Sequence, residues 1–207
     1  MRLGLFGGTF DPPHYGHLGL AQAARQQLRL DKVLWILTAD PPHKQGNPIS
    51  PIADRLAMVL AMLADLPSDE LSRVDIDRPG PHYSVDTVAL LAQHFPAAEL
   101  IFIMGGDSLR DLPTWHRPLD FLKVCSLGVL RRPGDSIDST LLARLEDALP
   151  GLSAKVAFVE APPLDIASNE LRQRVRAGVS LAGLVPEAVA AIIRERNLYQ
   201  EDESFGA

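Results

Sequence analysis

Two histidines three residues apart are the side chains of this sequence whose type and spacing most directly suggest chemistry. His14 and His17 follow a glycine turn at residues 7–9 and stand at the start of an apolar helical pattern. Glycine allows a sharp turn that exposes backbone N–H groups. The first turn of a helix adds further N–H donors and the positive end of the helix dipole. Backbone donors and two imidazole rings in one place suit a polyphosphate ligand.

Two other interpretations of this segment are weaker but stay open. A pair of histidines on one helix face could hold a metal ion. However, no third His, Cys or Asp ligand stands at a useful spacing, because two prolines separate Asp11 from the pair. The glycines could form a dinucleotide-binding turn, but their spacing is G-x-x-G-G, not G-x-G-x-x-G, and no G-x-x-x-x-G-K-[ST] loop occurs in the chain. We therefore predict no metal site built from protein ligands.

Composition and charge limit the class of protein. The 207 residues are 46% hydrophobic, which is enough for one domain with a full core. We place this domain at residues 1–199 and expect the acidic segment 200–207 to be a frayed tail. The net charge of −6 argues against a nucleic-acid-binding surface, which would be basic. An anionic ligand would then have to be held by local positive charge.

The cellular setting is suggested by what the sequence lacks. Its one cysteine, Cys125, cannot form an intrachain disulfide, which fits a reducing compartment. We interpret Cys125 as a small core residue in a strand, since nothing marks it as a nucleophile. The glycine turn begins after only six residues, which leaves no room for a signal peptide. No apolar run approaches the roughly 18 residues of a membrane span, so we expect a cytoplasmic protein.

Apolar strands alternate with helical patterns along the chain, which predicts an α/β fold. We expect a Rossmann-like doubly wound parallel sheet with helices on both faces and a C-terminal helical segment. In such sheets ligands bind beyond the carboxyl ends of the strands. The predicted strands are 2–7, 33–38, 71–77, 100–104, 123–131 and 155–160. The predicted helices are 16–29, 52–66, 84–95, 138–148, 168–178 and 186–197.

Two segments resemble the signatures of the nucleotidyltransferase superfamily whose active site is written H-x-G-H. The first is GGTFDPPHYGH at residues 7–17, and the second is IASNELR at 166–172, similar to I-S-[SA]-T-x-[IL]-R. In the second, Asn169 stands where the family has Thr, and Ala167 where Ser is usual. The resemblance implies catalytic roles for His14, His17 and Arg172. It also implies ATP contacts at Gly7, Gly8, Thr9, Phe10 and Ser168.

Four further segments are similar to one branch of that superfamily, the nicotinate-nucleotide adenylyltransferases. They are PPHK at 41–44, HYSVDT at 82–87, GGDSL with LPTWH at 105–116, and RRPG at 131–134. Trp115 could stack on a pyridinium ring through cation–π attraction, or could be a core residue. The resemblance implies nicotinate mononucleotide contacts at Lys44, Thr87, Asp107, Trp115 and His116, and an ATP contact at Arg132. Backbone amides near Thr87 and His116 would face the pyridine carboxylate.

The implied reaction transfers AMP from ATP to nicotinate mononucleotide and yields deamido-NAD and pyrophosphate, a step of NAD biosynthesis. Magnesium would travel with ATP, held mostly by phosphates and water. The attacking phosphate monoester has a second pKa near 6 and is largely ionised at neutral pH, so no general base or covalent nucleophile is needed. The alternatives are a phosphopantetheine or cytidylyl transferase, or a nucleotide-binding sensor without catalysis. A homo-oligomer is compatible with the sequence.

Overall fold

The computed structural model describes residues 1–39, 49–131, 139–160 and 166–200, and in these six strands form one parallel sheet. Each strand pairs with its neighbours in parallel, in the order β3-β2-β1-β4-β5-β6. The chain thus starts in the middle of the sheet, builds to one edge, and returns to build the other. The strands are β1 (Arg2–Gly8), β2 (Lys32–Leu37), β3 (Asp69–Ser72), β4 (Glu99–Gly105), β5 (Ser126–Arg131) and β6 (Val156–Glu160).

Helices cover both faces of the sheet, because side chains alternate along each buried strand. Phe6 and Trp35 belong to the core on one face, whereas Leu5 and Leu34 belong to the core on the other. No helix in the described ranges is long and apolar enough to cross a membrane. The helices are α1 (Tyr15–Gln27), α2 (Ile52–Leu63), α3 (Ser84–His94), α4 (Gly106–Asp111), α5 (Pro118–Val124), α6 (Ser139–Ala148), α7 (Ser168–Arg176) and α8 (Glu187–Glu195).

The predicted doubly wound sheet is confirmed, but two predicted strands are wrong in part. The strand at 71–77 already ends at Ser72, where the backbone turns and the carbonyl of Arg73 accepts from the N–H of Ile76 at 2.8 Å. The strand at 123–131 begins only at Ser126, because α5 occupies the residues before it. Cys125 is therefore a buried residue just before β5, not within it.

Candidate active site

A cavity of about 1020 Å³ opens at the carboxyl ends of β1, β2 and β4. It lies at the point where the strand order reverses between β1 and β4, which is where open α/β sheets bind ligands. Its size matches the upper end of small-molecule sites, roughly 300–1,000 Å³. Several of the predicted site residues line it: Gly7, Gly8, Thr9, His17, Thr87, Trp115 and His116.

His14 and His17 form a stacked pair at the N-terminus of α1. Their ring centroids are 3.7 Å apart with an interplanar angle of 27°. His14 is buried and caps the helix, since its Nδ1 accepts from the backbone N–H of His17 at 3.3 Å. A neutral imidazole that accepts at Nδ1 carries its proton on Nε2, so the opposite edge of His14 is a donor. His17 is half-buried and faces the cavity.

Two glycines are required here by close packing. A Cβ on Gly16 would lie 2.8 Å from Nδ1 of His14, so only glycine lets the ring lie against α1. A Cβ on Gly8 would lie 2.7 Å from the ring of Phe10. The spacing H-x-G-H therefore has a steric reason in addition to a chemical one.

The ring of Phe10 packs against the histidine pair through His17. Its backbone is left-handed, with φ of 49°, a conformation that non-glycine residues adopt mainly where the surroundings enforce it. Its buried ring packs 5.1 Å from both His17 and Trp35, measured between ring centroids. The side chain of Phe10 thus belongs to the core, and an ATP contact at this position would come from its backbone.

A second helix N-terminus lies against the same turn. In α7, Ser168 Oγ donates to the carbonyl of Pro12 at 2.9 Å, and Arg172 Nη1 donates to the carbonyl of Asp11 at 2.6 Å. The structure therefore brings both superfamily signatures together across more than 150 residues of sequence. Ser168 is the first residue of α7, directly after the N-cap residue Ala167.

Trp115 combines features of the two roles considered for it, stacking on a pyridinium ring and packing in the core. It is half-buried and makes edge-to-face contacts with Phe102 and Phe121, at centroid distances of 6.0 and 5.5 Å. Its ring also lines the cavity. His116 is exposed and stacks on Tyr83, with ring centroids 4.2 Å apart. Aromatic faces are thus available where a pyridine ring was expected.

Thr87 is buried, and its donors already have partners. Its hydroxyl lies 2.8 Å from Oδ1 of Asp75, its backbone N–H donates to the carbonyl of Tyr83, and Arg78 Nη2 donates to Oγ1 at 3.1 Å. Arg78 also forms an ion pair with Asp75 at 2.9 Å. The expectation that the Thr87 amide faces the ligand is therefore corrected. Ser84, the first residue of α3, lines the cavity, so its backbone N–H is the better candidate for that role.

Three other expected contacts have different outcomes. The side chain of Asp107 is 91% exposed and pairs with Arg110 at 2.5 Å, so the structure does not bring it into the cavity. Gly105 and Ser108 line the cavity in its place. Lys44 and Arg132 lie outside the described residues.

A buried arginine on α2 was missed by the sequence analysis. Arg55 is 2% exposed and donates to four backbone carbonyls around the glycine turn. Burial lowers the pKa of its guanidinium, and the Asp11 carboxylate opposes that shift. The available signal was its position on the apolar face of α2, in register with Met58 and Met62. The accepting carbonyls are those of Thr9, Thr38, Ala39 and Ser50.

Within the described ranges, no group of three His, Cys, Asp or Glu side chains could hold a metal ion. Mg²⁺ typically keeps several waters and binds through substrate phosphates and one or two carboxylates. The donors around the glycine turn are N–H groups, imidazoles and a guanidinium, which suit the phosphates of a nucleotide. This donor set fits a magnesium ion that arrives with its nucleotide.

Comparison with known families matches this chain over most of its length. The profile of the cytidylyltransferase-like family matches residues 5–174. A protein of Thermomicrobium roseum, named a probable nicotinate-nucleotide adenylyltransferase, is 44% identical over 205 residues, which cover 99% of this chain and 94% of that protein. A Roseiflexus protein of the same name is 43% identical and covers 96% of this chain and 98% of its own length.

Solved structures share the fold at low sequence identity. The nicotinic acid mononucleotide adenylyltransferase of Plasmodium falciparum, solved in complex with NaAD, superposes with a TM-score of 0.78 at 16% identity. That alignment covers 96% of this chain and 97% of the other. A structure from Vibrio parahaemolyticus described as a nicotinate-nucleotide adenylyltransferase gives a TM-score of 0.68 at 15% identity, with 98% of each chain covered.

Proposed function

Since the chain belongs to the cytidylyltransferase-like family, among relatives named nicotinate-nucleotide adenylyltransferases, we propose that it transfers AMP from ATP to nicotinate mononucleotide. The products are deamido-NAD and pyrophosphate, so the enzyme serves NAD biosynthesis. The observation that carries this proposal is the stacked pair His14–His17 at the N-terminus of α1. His17 faces the cavity, and the N-terminus of α7 lies against the turn just before the pair.

The two substrates occupy the two sides of His17. The ATP phosphates lie over the N-termini of α1 and α7, where backbone N–H groups and helix dipoles favour anions. His14, His17 and Arg172 add side-chain donors there. The mononucleotide lies in the cavity, with its pyridinium ring against Trp115 and its phosphate directed toward His17. Magnesium bound to ATP neutralises further phosphate charge.

The reaction needs alignment and charge stabilisation. An oxygen of the mononucleotide phosphate forms a bond to the α-phosphorus of ATP, and the bond from that phosphorus to the β-phosphate oxygen breaks. Pyrophosphate leaves with the electron pair. Holding two anions in line replaces a bimolecular encounter, and donors aimed at the developing charge stabilise the transition state. His17, between the two substrates, is placed to do this.

The acid form of the mononucleotide is the expected acceptor. The cavity reaches the N-terminus of α3, whose first N–H groups have no intrahelical acceptor. A carboxylate only accepts hydrogen bonds, whereas a carboxamide must also place its NH₂ group. Asp75 also lines the cavity, and because its Oδ1 is bound to Arg78 and Thr87, only its Oδ2 could accept from that group. An unsatisfied buried polar group costs roughly 1–3 kcal/mol, or about 5- to 150-fold in kcat/KM.

The test is pyrophosphate release from ATP and Mg²⁺ with a panel of acceptor phosphates. The panel contains nicotinate and nicotinamide mononucleotides, phosphopantetheine and glycerol phosphate. We expect nicotinate mononucleotide to give the highest kcat/KM, with deamido-NAD as the product. A preference for phosphopantetheine, or ATP binding without turnover for any acceptor, would contradict the proposal. Equal rates with the acid and the amide would leave adenylyl transfer intact and contradict only the assignment of the pyridine pocket.

A further inference from the structure

Tyr199, close to the C-terminal end of the chain, reaches back to the glycine turn near its start. Its hydroxyl donates to Oδ1 of Asp11 at 2.6 Å, across 188 residues of sequence. The same hydroxyl lies 3.9 Å from the sulfur of Met58 on α2. Burial, together with the negative charge of Asp11, raises the pKa of Tyr199. The phenol therefore stays protonated and remains a donor at neutral and moderately alkaline pH.

Asp11 is the residue through which this contact would act. It is 5% exposed, and its second carboxylate oxygen accepts from the backbone N–H of Ser50 at 3.1 Å. Its backbone carbonyl accepts from Arg172, the cation that α7 brings to the phosphate side of the site. Asp11 also precedes His14 by three residues. Asp11 therefore connects Tyr199 and Ser50, which bind its side chain, to Arg172, which binds its backbone carbonyl, at the start of the turn that leads to the histidines.

The carboxylate of Asp11 is buried, so its orientation is set by the protein groups around it. Arg55 supplies the opposing charge, and its own donors are bound to backbone carbonyls on both sides of the turn. Two donors bind the carboxylate itself, the hydroxyl of Tyr199 and the backbone N–H of Ser50, and they fix its orientation. When a buried polar group loses a hydrogen-bond partner, the cost in free energy exceeds that of the bond itself, because the group cannot form a replacement bond with water.

We propose that Tyr199 is a positioning residue of the adenylyl-transfer site, whose hydroxyl orients Asp11 and thereby the Arg172 and His14 side of the ATP subsite. This inference rests on the proposed function. It differs from a packing role, because the ring of phenylalanine would pack equally well at this position. The distinguishing atom is the hydroxyl oxygen.

The test compares Tyr199→Phe with a matched packing variant, Ile193→Ala. Ile193 is buried on α8, in the core that Tyr199 also contacts, and its side chain has no polar atom that could bind Asp11. For Tyr199→Phe we expect kcat/KM for ATP to fall about ten-fold, the size expected for one hydrogen bond to a charged group, while KM for the mononucleotide stays within about two-fold. Calorimetric titration with a non-hydrolysable ATP analogue should show the corresponding loss of affinity. Ile193→Ala should lower the melting temperature at least as much and leave both kinetic constants within about two-fold.

If the wild-type enzyme is active, either of two outcomes would overturn this inference and leave the proposed function intact. One is unchanged ATP kinetics in Tyr199→Phe, and the other is an equal kinetic loss in Ile193→Ala, which would assign the effect to packing. A double variant sharpens the result. If Tyr199 acts through Asp11, adding Tyr199→Phe to Asp11→Asn should have less effect than it has alone, because coupled residues are not additive. A wild-type chain that releases no pyrophosphate would overturn the proposed function and this inference with it.

Discussion

At the scale of single residues, the two histidines of the pair have different surroundings and therefore different tasks. His14 is 4% exposed and is engaged as the cap of α1. His17 stacks on it, is half-buried, and faces the cavity. The inner ring thus orients the outer one, and the outer ring is placed to meet phosphate oxygens.

Replacement of His17 by alanine should lower kcat by about 10²-fold or more, the loss typical of a missing transition-state donor. The melting temperature should change little, since the ring faces the cavity. His14→Ala should lower kcat as well, and it should also cost about 1 kcal/mol of stability through loss of the helix cap. Steady-state kinetics and thermal melts of the two variants check this. Near wild-type turnover in His17→Ala would remove the basis of the mechanism.

Trp115 should affect both binding and stability, because the structure gives it both roles. Trp115→Ala should weaken mononucleotide binding by about 1–3 kcal/mol through lost stacking. It should also destabilise the fold, by less than the about 3–5 kcal/mol of a fully buried aromatic residue. Trp115→Phe should recover most of the stability. Titration with each substrate and thermal melts separate the effects, and a change in ATP affinity equal to that for the mononucleotide would speak against a pyridine platform.

At the scale of elements, the site depends on two helices whose N-termini lie against the same turn. The turn after β1 leads into α1, and the first residues of α7 bind the carbonyls of Asp11 and Pro12. The proposed phosphate subsite therefore combines the N-termini of both helices. The ring of His14 lies so close to α1 that the helix must carry glycine at residue 16.

Gly16→Ala tests this close fit. The added methyl group would lie 2.8 Å from Nδ1 of His14 and would displace the ring. We expect kcat to fall at least about ten-fold, while the helix itself gains up to about 1 kcal/mol from the better helix former. Activity should thus fall without a matching loss of secondary structure by circular dichroism. A fully active Gly16→Ala variant would show that the position of the His14 ring is not critical.

The elements were largely predictable from sequence, because apolar runs between helical patterns specify a covered parallel sheet. The errors have local causes. The alternation of Val74 and Ile76 continues a strand pattern through what is a turn around the buried Asp75. Helices α4 and α5, with 6 and 7 residues, are too short for a helical period to stand out. The contact of Asp11 with Tyr199 leaves no local pattern, since only the folded chain brings them together.

At the scale of the whole molecule, a chain of net charge −6 would bind two anions in the proposed reaction. The donors proposed to hold them lie together at one edge of the sheet. The buried thiol of Cys125 provides a measure of the stability of the fold around it, because a buried thiol reacts only when unfolding exposes it.

Burial raises the pKa of Cys125 to about 12, so its thiolate is scarce in the folded chain. An alkylating reagent at about pH 8 should label it slowly in the native protein and rapidly in denaturant. A thiol whose pKa is raised on folding keeps its proton in the folded state, so this group's contribution to stability falls as the pH rises from about 9 toward 12. ATP that binds the folded state should slow labelling further. Rapid labelling of the native chain would contradict this burial.

The contact between Asp11 and Tyr199 has a consequence for the synthesis of the chain. The glycine turn and both histidines are translated long before Tyr199, whose hydroxyl anchors Asp11. A chain that is still being translated, or that stops at residue 198, carries every histidine and arginine of the proposed ATP subsite but lacks this anchor. Full adenylyl transfer would therefore begin only after residue 199 has been translated.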